Sequence, residues 1–292
     1  MEKGVLTLAV GKKYNRMARC LAYSCILHSP VLPRAVITDD CKYFKGLYDI
    51  IIQYTEDMGD PFNVKLKLNK YSPFYETLFL DADTLVYSDI CFMWNYFEGQ
   101  SVVYNGSREK MGKWYVNEIA DILKKYNIPW IGKLNSGIFL FKKDETGMSV
   151  MNYAAELHKN HDGLEIPFFY KKMLPDEPFW AIALGRYNQS PIEKEKDFGR
   201  LGRSLLNTKD VKLNIIKGIS SFKKDGELVF PAVVHFAGTK IAGYYYLAER
   251  LRLLFYYKDI PGGMFISNLI YMFISILNVV KPLYARLLRY KH

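Results

Sequence analysis

Cysteine is scarce in this sequence. The four present, Cys20, Cys25, Cys41 and Cys91, show no paired metal-ligand spacing and are too sparse for a disulfide framework, so a reduced, cytosolic compartment is the default expectation. The opening residues, Met1-Glu2-Lys3-Gly4, run straight into an apolar, strand-like segment. They lack the basic stretch, long apolar run and small-residue cleavage site of a signal peptide, and nothing in them suggests export. Internal repeats are missing. Wholesale disorder is excluded, because half of the 292 residues are hydrophobic and 24% are charged, which is globular composition. Acidic residues are short at one end. The chain has 40 basic and 30 acidic side chains, yet residues 240–292 hold eight basic and only two acidic ones, together with 11 of the 45 aromatic rings. A basic, aromatic tail points to a membrane surface or a polyanion, and no aromatic nucleic-acid motif accompanies it.

What is present alternates. Val5–Val10 reads as a buried strand, followed by a helix from about Asn15 to His28. Ala35–Thr38, Ile50–Gln53, Thr77–Leu80 and Ser101–Tyr104 are further strand-length apolar runs. Such alternation argues for an α/β fold with a mostly parallel sheet. Residues 107–130 look like a helical insertion: Trp114, Ile119, Ile122 and Leu123 make an apolar stripe, and Pro129 ends it. Leu134–Phe141 returns to strand and Ser149–His158 to helix, residues 188–226 read as a loop-rich wall, and Pro231–Phe236 is a last strand.

After Pro261-Gly262-Gly263 the sequence changes character. Met264–Val280 carries no charge, and 13 of its 17 residues are apolar. Its polar residues, Ser267, Asn268, Ser275 and Asn278, fall on one face at helical spacing. The run is short for a span, which needs about 20 residues, and suits a helix lying in the membrane interface. Lys281, Arg286, Arg289 and Lys291 follow at once. The expected division is therefore a catalytic domain over residues 1–243 and a basic, aromatic helical tail over 244–292.

Chemistry concentrates at Thr77-Leu-Phe-Leu-Asp81-Ala82-Asp83-Thr84. The two carboxylates follow a strand at its carboxyl end, where open α/β sheets place their ligands, and two carboxylates so placed can hold a divalent cation against phosphate oxygens. Two enzyme classes use that arrangement. Haloacid-dehalogenase phosphatases would use Asp81 as nucleophile, but they begin near this strand and supply a later Gly-Asp-x-x-x-Asp, which is missing. Nucleotide-sugar glycosyltransferases of the GT-A fold would use the pair for metal and nucleotide. About 80 residues of strand–helix sequence precede the motif here, which favours the second class. A non-catalytic basic membrane-binding protein is the remaining alternative.

Four strings in order then resemble glycosyltransferase family 8. Phe79-Leu-Asp-Ala-Asp-Thr-Leu-Val86 is similar to its metal motif, and Leu134-Asn135-Ser136-Gly137-Ile138 to its Asn-Ser-Gly strand. Asp176-Glu177 stands where the family has an Asp-Gln pair opening a helix, and Val234-His235-Phe236-Ala237-Gly238 resembles its metal-binding His-Phe-x-Gly. The resemblance covers roughly residues 4–243. It implies a single Rossmann-like GT-A domain, with a metal held by Asp81, Asp83 and His235. That donor set suits Mn²⁺, with Mg²⁺ possible, since imidazole is softer than magnesium prefers. It also implies a UDP-sugar, glucose or galactose first, bound by Tyr14 against uracil, by Asp81 and Ala82, by Ser136, Gly137 and Gly238, and by the lysines Lys65 and Lys240. Asp176, Glu177 and Asn135 become the catalytic candidates for transfer with retention of configuration. Two departures stand out: Glu177 replaces the usual Gln, and Lys240 lies five residues after His235 and before Ile-Ala rather than six and before Pro-Trp. With the tail, the expected acceptor is a lipid-linked or cell-surface glycan, met by a peripheral or monotopic enzyme held by its tail on the anionic, cytoplasmic face of a membrane.

Overall fold

The computed structural model describes residues 1–115, 117–160, 173–192, 197, 199–237, 240–258 and 265–277. Its first half contains strand β1 (Lys3–Ala9), helix α1 (Lys12–His28), strands β2 (Arg34–Thr38) and β3 (Ile50–Gln53), and the short helices α2 (Pro61–Lys65) and α3 (Leu68–Tyr71). Strands β4 (Glu76–Leu80), β5 (Thr84–Val86) and β6 (Val102–Glu109) follow. A small hairpin, β7 (Lys113–Trp114) and β8 (Asn117–Glu118), leads into α4 (Ile119–Tyr126), β9 (Ile131–Lys142), α5 (Glu145–Asn160) and α6 (Glu177–Arg186). Strands β10 (Arg203–Ser204), β11 (Thr208–Asn214), β12 (Ile219–Lys224), β13 (Glu227–Val229) and β14 (Val233–His235) precede the long helix α7 (Lys240–Lys258).

The central sheet has the order β3-β2-β1-β4-β9-β6. Its first four strands are parallel, and β9 runs antiparallel between β4 and β6. The sheet is thus mixed but mostly parallel. Alternate residues sort the core onto its two faces, as a pleated strand requires. Leu6, Phe79, Phe139 and Phe141 meet Val150, Phe179 and Trp180 of α5 and α6 on one face. Val5, Leu78, Leu80 and Leu140 meet Leu21 and Cys25 of α1 on the other. Because both faces are covered, these strands read as continuous apolar runs.

Two expectations need correction. Only residues 119–126 of the supposed helical insertion are helical; residues before Lys110 prolong β6, and 113–118 form the hairpin. Here the apolar stripe marks α4 alone, and Trp114 lies in a strand. The supposed loop-rich wall contains an antiparallel meander, β11-β12-β13, whose polar, partly exposed strands lack the apolar alternation that would reveal them. Helix α7 packs Tyr245, Tyr246 and Leu253 with Cys20 and Tyr23 of α1. Tyr257 stacks on Tyr23 with centroids 4.4 Å apart. Among the described residues no helix is long and apolar enough to cross a membrane.

Candidate metal and sugar-nucleotide site

Strand β4 delivers Asp81 to the carboxyl edge of the sheet. The Asp81 amide donates to Gly137 O of β9 (2.9 Å), and Asp81 O accepts from both the amide (3.0 Å) and the hydroxyl (2.8 Å) of Thr84. The turn is therefore closed on itself. Strand β14 then pairs antiparallel with β5, placing His235 opposite Thr84, and the Phe236 amide donates to Asp83 O (3.0 Å). Backbone ladders on two sides fix both carboxylates and the imidazole before any side chain is considered.

Asp81, Asp83 and His235 offer ligand atoms that all lie within 4.8 Å of one another. His235 Nε2 is 3.1 Å from Asp83 Oδ1 and 3.8 Å from Asp81 Oδ2. The other ring nitrogen, Nδ1, lies 2.9 Å from Asn135 Oδ1. That same oxygen accepts the Gly137 amide at 3.1 Å, so it is an acceptor and Nδ1 must be the donor. The tautomer is thereby set, and Nε2 is the nitrogen left to take a proton or a cation. Two carboxylates and one oriented imidazole fit a divalent transition metal such as manganese better than they fit magnesium. Burial opposes the charged form of His235, but the neighbouring Asp83 outweighs it and raises the imidazole above its usual value. Burial likewise pushes against ionised Asp83, and His235 holds that carboxyl below its usual range. Gly137 makes the cluster possible: a Cβ there would stand 2.6 Å from His235 Nδ1 and 2.9 Å from Asp81 Oδ2, closer than real side chains allow.

Beneath the carboxylates lies Lys65, whose side chain is only 7% exposed. Its Nζ donates to Asp81 Oδ2 (3.0 Å) and Ser136 Oγ (3.1 Å) and faces Asp176 Oδ2 at 3.6 Å. Burial works against its charge, yet Asp176 and Asp81 more than compensate and raise its pKa. An ammonium has three donors; two go to Asp81 and Ser136, and Asp176 is paired with it by charge, beyond hydrogen-bond distance. Lys65, expected to meet a diphosphate, is buried here between two carboxylates. Asp176 begins α6 without capping it through its side chain, and its Oδ2 is buried with no hydrogen bond. Glu177 Oε1 accepts the Ser136 amide at 3.3 Å. Burial first, and the Asp176 charge second, push the Glu177 carboxyl up to about 7.

The remaining expected residues are distributed as follows. Ala82 is buried between the two aspartates. Tyr14 stands 42% exposed on the first turn of α1, past the same carboxyl edge, with Lys13 Nζ 5.2 Å from its ring centroid. Lys240 opens α7; its side chain and Gly238 lie outside the described residues. Asn135, expected to meet a sugar hydroxyl, spends its side-chain oxygen on His235 and Gly137. Sequence reasoning missed two contributors. Asp39, at the end of β2, accepts from the Gly11 amide and from Asn15 Nδ2, each at 2.9 Å, and so clasps the loop that presents Tyr14. Tyr115, at the tip of the β7–β8 hairpin with φ 55°, hydrogen-bonds Glu177. Their only signals were an acidic residue ending a strand and a tyrosine in a two-residue turn.

No protein-family profile and no curated protein sequence matches this chain; solved structures do. The bifunctional glycosyltransferase WbbM aligns with a TM-score of 0.56 at 11% identity, over 91% of this chain and 51% of that one. An active-site mutant of LgtC aligns with a TM-score of 0.50 at 14% identity, over 81% and 88%. GlyE of Streptococcus pneumoniae TIGR4 aligns over 68% of this chain and 47% of its own length, with a TM-score of 0.46 at 15% identity. The chain thus spans about half the length of GlyE and of WbbM. Together with the sheet order and the placement of the aspartates at its edge, the likeness to WbbM and LgtC shows a GT-A glycosyltransferase fold.

Proposed function

We propose that this protein is a metal-dependent, retaining glycosyltransferase that moves a hexose from a UDP-sugar to a lipid-linked or cell-surface saccharide at the cytoplasmic face of a membrane. The observation that carries the reading is the convergence, at one sheet edge, of Asp81, Asp83 and His235 with a second acidic pair, Asp176 and Glu177, all tied to Lys65 and to Asn135-Ser136-Gly137. Asp81, Asp83 and His235 would hold Mn²⁺ or Mg²⁺, whose chemistry is to neutralise charge developing on the departing nucleotide diphosphate.

The chain's own residues supply the rest. Lys65 lies between Asp81 and Asp176 and offsets the repulsion between two buried carboxylates. Asp176 Oδ2, buried 3.6 Å from Lys65 Nζ, holds that cation beneath the site. Glu177, fixed by the Ser136 amide and by Tyr115, presents a carboxyl to the reacting face. There it would stabilise an oxocarbenium-like transition state. Retention then follows by attack of the acceptor on the face the leaving group vacates, or by a covalent intermediate on a carboxylate. Glu177 is a better nucleophile than the amide usual at its place.

The test is a thermal-shift panel of nucleotide-sugars with and without Mn²⁺, followed by an assay of UDP release. UDP-glucose or UDP-galactose should stabilise the protein in a Mn²⁺-dependent manner, more than GDP- or CMP-sugars do. Equal shifts for all nucleotides, or shifts insensitive to EDTA, would refute it. Release of phosphate from a simple phosphoester without nucleotide-sugar would instead favour Asp81 as a phosphatase nucleophile.

A further inference from the structure

Away from the metal and acid groups, a cavity of about 460 Å³ lies between α2–α3 and α5, within the range of small-ligand sites, about 300–1,000 Å³. One wall carries Asn63, Lys67 and Lys70. Lys65 points instead to Asp81. Asn63 and Lys65 are two apart on α2 and cannot share a face, so the cavity and the metal site lie on different sides of this segment. The other wall is one face of α5, where Met148, Asn152, Glu156 and Lys159 recur at helical spacing; Val150, Met151 and Ala154 of the same helix are buried in the core. Asn69, only 3% exposed, fixes that wall from within. Its Nδ2 donates to Asn152 Oδ1 (3.2 Å) and reaches Met148 Sδ (3.5 Å). The Asn152 oxygen is thereby used, which leaves that side chain's N–H groups as donors.

The lining selects by its charge and by what it omits. Lys67, Lys70 and Lys159 set three positive charges against the one carboxylate of Glu156. Among the described residues, none of the three ammonium groups is ion-paired. Three minus one leaves a double positive charge, the complement of a phosphomonoester, which carries about −1.5 to −2 at pH 7. Among the described residues no aromatic ring lines the cavity, so a nucleobase finds nothing to stack on. A polyphosphate or nucleic-acid backbone would meet Glu156 as a repelling charge, whereas to a sugar hydroxyl that carboxylate is an acceptor. Asn63 Oδ1 and Asn69 Oδ1 are both buried without a donor. Orphaned acceptors in a native fold need an explanation, and a ligand rich in hydroxyls supplies donors. Met148 adds an apolar patch for the C–H face of a ring.

We propose that this cavity binds a phosphate-bearing sugar, with Lys67, Lys70 and Lys159 at its phosphate and Asn63, Asn152 and Glu156 at its hydroxyls. Two sources share that chemistry, a free hexose phosphate and a phosphorylated residue of a glycan. The test is isothermal titration of the full-length protein in metal-free buffer. The probes are glucose 6-phosphate, mannose 6-phosphate, a pentasaccharide ending in mannose 6-phosphate, inorganic phosphate and glucose. At least one sugar phosphate should bind about tenfold or more tightly than phosphate or glucose does. Lys70→Glu and Lys159→Glu, both at exposed positions, should each weaken that binding at least about tenfold while melting with the parent. Lys217→Glu, an exposed control outside the cavity, should bind as the parent does. Saturating UDP with Mn²⁺ should leave the sugar phosphate bound, because the two sites lie on different sides of α2. A pentasaccharide that binds more tightly than mannose 6-phosphate supports the site as one for a glycan; equal or weaker binding supports it as one for the free sugar phosphate. The proposal is overturned by no binding of any sugar phosphate, by binding that both lysine variants retain, or by displacement with UDP and Mn²⁺. Inorganic phosphate binding as tightly as the sugars would also overturn it, by leaving the hydroxyl contacts without effect.

Discussion

Gly137 is small because His235 occupies the space a side chain would need. Gly137→Ala should therefore weaken Mn²⁺ binding by at least about tenfold, comparably to Asp83→Ala and His235→Ala, because the imidazole or Asp81 must move. Isothermal titration with MnCl₂ measures it, and a variant with parental affinity would contradict the packing. The hydrogen-bond geometry also gives a pH dependence. A metal needs Nε2 unprotonated, and Asp83 holds the proton there more firmly than usual. Mn²⁺ affinity should therefore fall about tenfold for each pH unit below the raised imidazole value and level off above it; His235→Ala should lose that slope. Asp81, Asp83, Gly137 and His235 were all legible, since each sits in a short string whose residue types carry the chemistry. That Gly137 makes room for His235 was not legible, because it depends on how β14 registers against β5. Lys65 likewise looked like one cation among 40 basic residues until its three partners showed it to be buried.

At the scale of one element, the first turn of α6 decides how acidic the site is. The Glu177 carboxyl is pushed from an ordinary 4.5 to about 7. Between those values the folded chain keeps a proton that the unfolded chain releases. This group's contribution to stability is therefore intact below the lower value and lost as pH rises through the upper one. Denaturant titrations without added metal should show the parent losing on the order of 3 kcal/mol relative to Glu177→Gln across that window; parallel profiles would mean the carboxyl is not held this way. For transfer, Asp176→Asn should abolish turnover while largely keeping the donor bound, and Glu177→Gln should be milder. The reverse order would assign Glu177 the essential carboxylate. The helix start itself was legible from the resemblance at Asp176-Glu177. The hairpin that brings Tyr115 onto Glu177 was not, because a tyrosine at positive φ is selected by its contact and leaves no periodic trace.

Across the whole molecule, sequence periodicity revealed that the final apolar helix has one polar side but not what holds that helix to the rest of the chain. The hold comes from a partner distant in sequence, the buried Glu249–Arg252 pair, which bonds Tyr271 and Asn268, and a helical wheel holds no such information. A chain ending after Tyr257 should therefore be less stable than the full-length protein. Such a chain removes Tyr271 from Glu249 and Asn268 from Arg252, and it uncovers Tyr245 and Leu253, which pack with Ile270, Tyr271 and Ile274. Leaving buried charged groups short of a partner costs about 1–3 kcal/mol each. Even about 2 kcal/mol corresponds to a fall in Tm of about 4–8 °C for a chain somewhat smaller than this one. Differential scanning calorimetry of the truncated and full-length proteins, both without lipid, checks the argument. The truncated form should melt several degrees lower and aggregate sooner, whereas Phe273→Asp, which touches only the outward face, should melt with the parent. Equal midpoints for parent and truncation would show that the helix merely rests against the enzyme.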